Sequence, residues 1–150
     1  MNPKNFKHST PLQIRFSDID KLNHVNNAVY LNYFETGRVY YFDTVLGKRH
    51  DWNKEGLVVV RNEINYLLPL HLHDRIECLT RCVRIGNKSI TVENLILRNK
   101  NGKKELVAGG IGVLVCMDYT CGESIPVPDN WKKKIQRYEK VKPDVAFLKA

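Results

Sequence analysis

The apolar positions of this chain change period along its length. Between about Asn26 and Leu46, Tyr30, Tyr33, Phe34, Tyr41 and Val45 recur at spacings of three, four and seven, the period of one helical face. Gly37 sits inside that stripe. A glycine there costs a helix about 1 kcal/mol relative to alanine, so its presence predicts that something approaches the helix backbone closely. A sheet laid against the helix would supply that neighbour. From Val58 the period becomes two, because Val58, Val60, Ile64, Tyr66 and Leu68 alternate with Arg61, Glu63 and Asn65. That alternation predicts a half-buried strand ending at Pro69.

Three more strands are predicted over about Arg75 to Ile85, Lys88 to Arg98 and Glu105 to Met117. Gly86-Asn87 and Asn99-Lys-Asn-Gly102 between them are good hairpin turns, and Gly109-Gly110 suggests a bulge in the last strand. In these strands Leu79, Val83, Leu95 and Leu97 lie out of phase with Ile76, Cys78, Ile90 and Val92. Apolar side chains on both faces point to a second surface buried against a partner subunit. Before the long helix, Leu12 to Ser17 reads as a short strand, followed by an Asp- and Asn-rich loop. Near the end, Asp129-Asn130 serve as caps for a last helix with Trp131, Ile135 and Tyr138 on one face. A long helix followed by a four-stranded meander is buried only if the sheet curls around it. The expected architecture is an α+β hotdog: a central helix, a curved antiparallel sheet and a short C-terminal helix, in one domain over 1–150.

Composition narrows the classes. The chain has 150 residues, of which 43% are hydrophobic, enough for one real core. No apolar run resembles a signal peptide or a membrane span, which predicts a cytoplasmic protein. Cys78, Cys82, Cys116 and Cys121 form no CxxC pair and read as buried, reduced thiols rather than disulfides or zinc ligands. The charge of +8 comes from 24 Lys and Arg spread over the whole sequence, without a nucleic-acid motif. The densest run, Lys132-Lys133-Lys134, falls in the last helix, and an anionic small ligand suits such a charge as well as nucleic acid does.

Candidate chemistry concentrates at the junction before the long helix, where Asp18, Asp20, His24, Asn26 and Asn27 crowd together. Free N–H groups at a helix start stabilise an oxygen that becomes negative during reaction. Asp20, a few residues earlier, is placed to activate water or to attack a carbonyl held there. Thioesters suit so small an apparatus, since a thiolate with a free-thiol pKa near 8.5 leaves without acid assistance. Two other readings stand beside this one. In the first, Asp18, Asp20, Asn23 and Asn26 are simply turn and cap residues. Alternatively Asp18, Asp20 and His24 are three hard donors for a divalent metal, with His71 and His73 as a further pair on one strand face. Glu35 and Arg38, three apart on the helix, make an ordinary surface ion pair, although Glu35 lies off the apolar stripe and could line a pocket.

The string Arg15-Phe-x-Asp-x-Asp20-xxx-His24-Val-Asn-Asn-x-x-Tyr30-xxx-Phe-Glu35-xx-Arg38 resembles the 4-hydroxybenzoyl-CoA thioesterase family, and its acyl-CoA branch in particular. The likeness continues through Ile64-Asn-Tyr66-Leu-x-Pro69, Asp74-x-Ile76, Gly86-Asn-Lys-Ser89 and Val115-Cys-Met-Asp118. His73 stands where many members carry glycine. The resemblance implies a hotdog homodimer or homotetramer with sites at subunit boundaries. It implies Asp20 as the catalytic carboxylate and the backbone amide at about Asn27 as the carbonyl's partner, with His24, Asn26, Tyr30 and Glu35 around the substrate and Asp18 structural. Arg61, Arg84, Lys88, Arg98 and Lys103 are candidates for the CoA phosphates. No metal or cofactor is implied. A carrier-protein thioesterase and a non-catalytic acyl-CoA sensor are the alternatives. A dehydratase would need a histidine on the helix, which has none.

Overall fold

The computed structural model describes residues 1–145. Its long helix, α1 (Val29–Leu46), begins three residues after Asn26. Asn26 instead opens a turn leading into it: its side-chain oxygen accepts from the Ala28 amide at 3.0 Å, and its carbonyl accepts from the Val29 amide at 2.9 Å. Every member of the predicted stripe, Gly37 included, is buried. A Cβ at Gly37 would stand 2.5 Å from Cys78 Sγ and 2.9 Å from Thr80 Oγ1, so the glycine is set by the sheet beneath it.

That sheet is antiparallel in its long strands, with β1 (His8–Leu12), β2 (Glu55–Tyr66), β3 (Arg75–Ile85), β4 (Ser89–Lys100) and β5 (Lys103–Asp118) in spatial order β1-β3-β4-β5-β2. Two short strands extend it: β6 (Glu123–Ser124) pairs with β5, and β7 (Asp144–Val145) pairs in parallel with β3. The sheet curves around α1 as a half-barrel, with α2 (Asp129–Tyr138) at one end, which is the hotdog fold. The β4–β5 turn is a two-residue hairpin at Asn101-Gly102, both at positive φ (51° and 76°) as Asn-Gly turns require.

Several sequence expectations are corrected. The first strand lies at His8–Leu12 rather than residues 12–17, because Ile14 drops into the core and Phe16–Asp18 coil into a 3-10 turn. The irregularity in β5 falls at Val107, opposite the Ile96/Leu97 step, and not at Gly109-Gly110. Gly110 is needed for a different reason: a Cβ there would meet the Glu63 carbonyl and Phe34. In β2, the register shift between Val59 and Arg61 breaks the alternation. As the last strand of the sheet it leaves Val58, Val60 and Tyr66 41%, 59% and 46% exposed. The second apolar face of β3 and β4 is covered by the chain itself, since Phe6 packs on Leu79, Leu95 and Leu97. Asp129 and Asn130 are the first residues of α2 rather than its caps. Of the cysteines, Cys78, Cys82 and Cys116 are buried, but Cys121 is exposed in the turn before β6, and all four are free. Lys134 of the basic run donates to the Leu46 carbonyl at 3.0 Å and caps α1.

The outer edge of β3 is closed by a side chain. β1 covers it up to Thr80, β7 resumes at Arg84, and between them the Cys82 amide donates to Glu139 Oε1 at 2.7 Å. The same oxygen accepts from Tyr41 Oη at 2.5 Å, which ties the end of α2 to both the sheet and α1. Burial raises the Glu139 carboxyl, against the lowering effect of those two donors. Glu139→Ala leaves a buried amide and a buried hydroxyl without an acceptor and should lower the unfolding free energy in urea by about 2–4 kcal/mol, whereas Glu139→Gln, which keeps the acceptor, should lose far less.

Candidate active site

Asp18 and Asp20 sit two residues apart and have different surroundings. Asp18 is buried, 1% exposed, and its carboxylate accepts from the Arg15 amide (2.9 Å), the Arg15 guanidinium (3.1 and 3.2 Å) and Tyr33 Oη (2.8 Å). Burial alone would raise this carboxyl, but the Arg15 amide, Tyr33 and the Arg15 guanidinium together hold it below the usual carboxylate range. On the Tyr33 side, burial and the Asp18 charge push the phenol upward and keep the proton on the donor. The Asp18 carbonyl in turn accepts from the Asn26 amide at 2.8 Å. One residue therefore fixes the loop to α1.

Asp20 is half-buried at the neck of a tight loop. Its amide donates to the His24 carbonyl at 2.8 Å, its carbonyl accepts from Asn23, and Asn23 closes the loop at φ 61°. Its Oδ1 accepts from the Leu22 amide at 2.8 Å and more weakly from the His24 amide at 3.4 Å, while Oδ2 has no hydrogen-bond partner among the described residues. The loop is stitched down by an Ile19–Val25 bridge and by the Val25 amide on the Leu70 carbonyl at 2.9 Å. Such a loop leaves the carboxylate little freedom to wander.

Asp20, His24, Asn27 and Tyr30 come together in one open cleft of about 360 Å³. The opposite wall, Tyr66 to Pro69, lies outside the site that the sequence indicates, although Ile64-Asn-Tyr66-Leu-x-Pro69 belongs to the recognisable text. Tyr66 Oη donates to the Asn27 carbonyl at 2.9 Å, and its ring meets Tyr30 edge-on at 5.1 Å. At the helix start the amides of Asn26, Ala28 and Val29 are all committed, whereas that of Asn27 has no partner among the described residues. The His24 ring packs edge-on against His71 at 5.1 Å.

Other sequence readings fare differently. Asn26 is spent on the turn before α1. The metal reading fails physically, because the Asp18 oxygens are saturated by donors. His71 and His73 lie in a turn rather than on a strand, and no cluster of three His, Cys, Asp or Glu among the described residues is placed to hold a metal ion. Glu35 and Arg38 do not form a surface ion pair. Glu35 is exposed, whereas Arg38 is buried with an Nη1 that lacks a partner among the described residues. Burial lowers the Arg38 pKa against the opposing pull of Glu35. Both line a second cleft, of about 390 Å³, with Phe42, Trp52, Leu57 and Leu114.

The sequence profile of the Thioesterase-like superfamily matches residues 14–135. The chain belongs to that superfamily. Thioester hydrolysis is the enzyme class this membership carries. Among curated proteins, the acyl-acyl carrier protein thioesterase ATL2 of Arabidopsis thaliana is 31% identical over 108 residues, 71% of this chain and 57% of that protein, so the match spans little more than half of the plant protein. The long-chain acyl-CoA thioesterase FadM of Escherichia coli is 25% identical over 87% of this chain and 98% of that one. Among solved structures, a Thermus thermophilus thioesterase complexed with coenzyme A and Zn is 34% identical with a TM-score of 0.77, covering 92% of this chain and 98% of that one.

The contrast between the two carboxylates is testable. Asp18→Asn should cost about 2 kcal/mol of stability at pH 7, since hydrogen bonds to a charged acceptor are lost. A depressed carboxyl stabilises the fold above the unfolded-state pKa near 3.9. The gap between this variant and the unaltered protein in denaturant melts should therefore hold at neutral pH and close as the pH falls below about 4.

Proposed function

We propose that the chain hydrolyses an acyl-CoA thioester in the cleft between Asp20 and the start of α1. One observation carries this reading: the cleft offers one uncommitted carboxylate oxygen and one uncommitted helix-start amide, on Asp20 and Asn27. The thioester carbonyl oxygen accepts from the Asn27 amide, where the positive end of the helix favours the developing charge. Asp20 Oδ2 either takes a proton from a water attacking the carbonyl carbon or attacks that carbon itself, and the thiolate departs unassisted. Oδ1, anchored on the Leu22 amide, keeps the carboxylate aimed.

His24 and Tyr30 contribute the wall and floor against the substrate, and Asn26 shapes the turn that frees the Asn27 amide. The acyl group runs along α1 toward the second cleft. Eleven residues separate Asn27 from Arg38, about 16 Å at 1.5 Å per residue, and there Glu35 and the apolar walls meet the far end of the chain. The edge of β2, unpaired among the described residues and with Val58 to Val60 exposed, supports a homodimer in which a second copy covers this seam. The string from Arg15 to Arg38 supports the acyl-CoA branch of the 4-hydroxybenzoyl-CoA thioesterase family. A carrier-protein thioester is the second reading, favoured by the likeness to the Arabidopsis protein.

Asp20→Asn should reduce thiol release from acyl-CoA by about 10²- to 10⁴-fold, the usual contribution of a positioned acid or base, with little change in melting temperature. A thiol-reactive dye follows the reaction across a panel of acyl-CoA and acyl-carrier-protein substrates. Turnover that survives the substitution would remove Asp20 from the mechanism.

A further inference from the structure

We infer that the acyl group this chain releases carries a hydroxyl far from its thioester, and that Arg38 and Asn62 select for it. This rests on the placing of the acyl group along α1 toward the second cleft.

Arg38 is a buried charge that the fold itself does not answer. It is only 5% exposed, its Nη1 is shut off from solvent, and its guanidinium enters no hydrogen bond or ion pair among the described residues. The other well-covered arginines of the sheet have acids: Arg81 meets Glu93 at 2.7 Å, and Arg98 meets Asp74 at 3.3 Å and Glu105 at 2.8 Å. An arginine stays protonated at neutral pH, so it cannot escape the cost of burial by losing its charge. Its acceptor has to arrive with a ligand.

The surroundings show where that acceptor sits. Gly112 of β5 leaves a notch beside the guanidinium, since a Cβ built there would stand 3.5 Å from Arg38 Nη1 and 3.2 Å from Asn62 Oδ1. Asn62 faces Gly112 across the β2–β5 ladder, is exposed, and has no side-chain hydrogen bond among the described residues. The notch has a donor on one side and an acceptor on the other. Arg38 lines the second cleft, and so does Leu114, two residues along the same face of β5, which sets the notch at the edge of that cleft.

This pair specifies the group it takes. A hydroxyl accepts from Arg38 and donates to Asn62 Oδ1, so both are satisfied. A carbonyl oxygen would set a second acceptor against Asn62. A carboxylate would do so with a full charge, in a cleft that already holds the Glu35 and Asp43 carboxylates. A plain alkyl chain would exclude water from the guanidinium and leave it unpaired, and sites built to bond a hydroxyl reject such analogues strongly. Arg38 lies about 16 Å along α1 from Asn27, a span that an extended chain of about a dozen carbons covers. The hydroxyl belongs near the end of such a chain.

The test uses the full chain and two sets of probes. S-(12-hydroxydodecyl)-CoA and S-dodecyl-CoA, thioethers that cannot be hydrolysed, report binding in titration calorimetry, and the matching 12-hydroxydodecanoyl and dodecanoyl thioesters report turnover. The unaltered protein should favour the hydroxylated member by at least about tenfold in Kd and in kcat/KM. Asn62→Ala should reduce both preferences by several-fold, and Arg38→Met should abolish them. Arg38→Met should also hold or raise the melting temperature of the ligand-free protein, because an unpaired buried charge does not stabilise it. Equal affinity of the unaltered protein for the two thioethers overturns the inference. So does tighter binding of S-(11-carboxyundecyl)-CoA than of the hydroxylated probe, or an Arg38→Met variant that melts many degrees lower or does not fold, which would give the guanidinium a structural partner instead. Preference for the hydroxylated thioether in a chain that hydrolyses neither thioester upholds the hydroxyl site and counts against the Asp20 reading, so the two fail separately.

Discussion

The buried carboxylate of Asp18 is the interaction on which the candidate site depends. Its oxygens gather the Arg15 amide and guanidinium and the Tyr33 hydroxyl, and its carbonyl takes the Asn26 amide. A charge buried in this way is tolerable only with several donors around it, so the loop has one low-energy arrangement relative to α1. The position of the whole cleft follows: Asp20 is held two residues beyond a fixed point, and the Asn27 amide one residue beyond another.

Around that point the fold is a compromise between close packing and openness. Gly37 and Gly110 let α1 settle onto the sheet near Cys78, Thr80 and the Glu63 carbonyl. Glu139 closes the gap between β1 and β7 on one edge, and Phe6 covers the outer face of β3 and β4. The other edge, β2, has no strand partner among the described residues, and its exposed valines lie beside the seam along which we place the acyl group. The most firmly closed parts of the chain thus lie away from the proposed path of substrate.

Two cations illustrate how the surroundings decide a residue's part. Arg98 and Arg75 lie near the same corner of the sheet, yet Arg98 is buried between Asp74 and Glu105 and consolidates the fold, whereas Arg75 is exposed and has no acidic partner among the described residues. Their identical chemistry in the sequence becomes structural in one case and solvent-facing in the other. Asp18 and Asp20 divide in the same manner, one saturated by donors and one with an oxygen to spare.

The sequence by itself determined the helix and its buried face, the approach of the sheet at Gly37, the three long hairpin strands and the concentration of chemistry before α1. These follow from period, turn chemistry and local spacing, which act over a few residues. It misplaced the first strand, the bulge, the covering of the outer face and the buried Arg38, because each depends on contacts between separate elements of the fold. Phe6 against Leu95, Val107 against the Ile96/Leu97 step, and Arg38 beneath Gly112 are settled only when the strands have found their register. Likewise the text from Tyr66 to Pro69 is recognisable, but nothing local in it says which loop it faces. Only the tertiary structure brought it to the loop where the carboxylate waits.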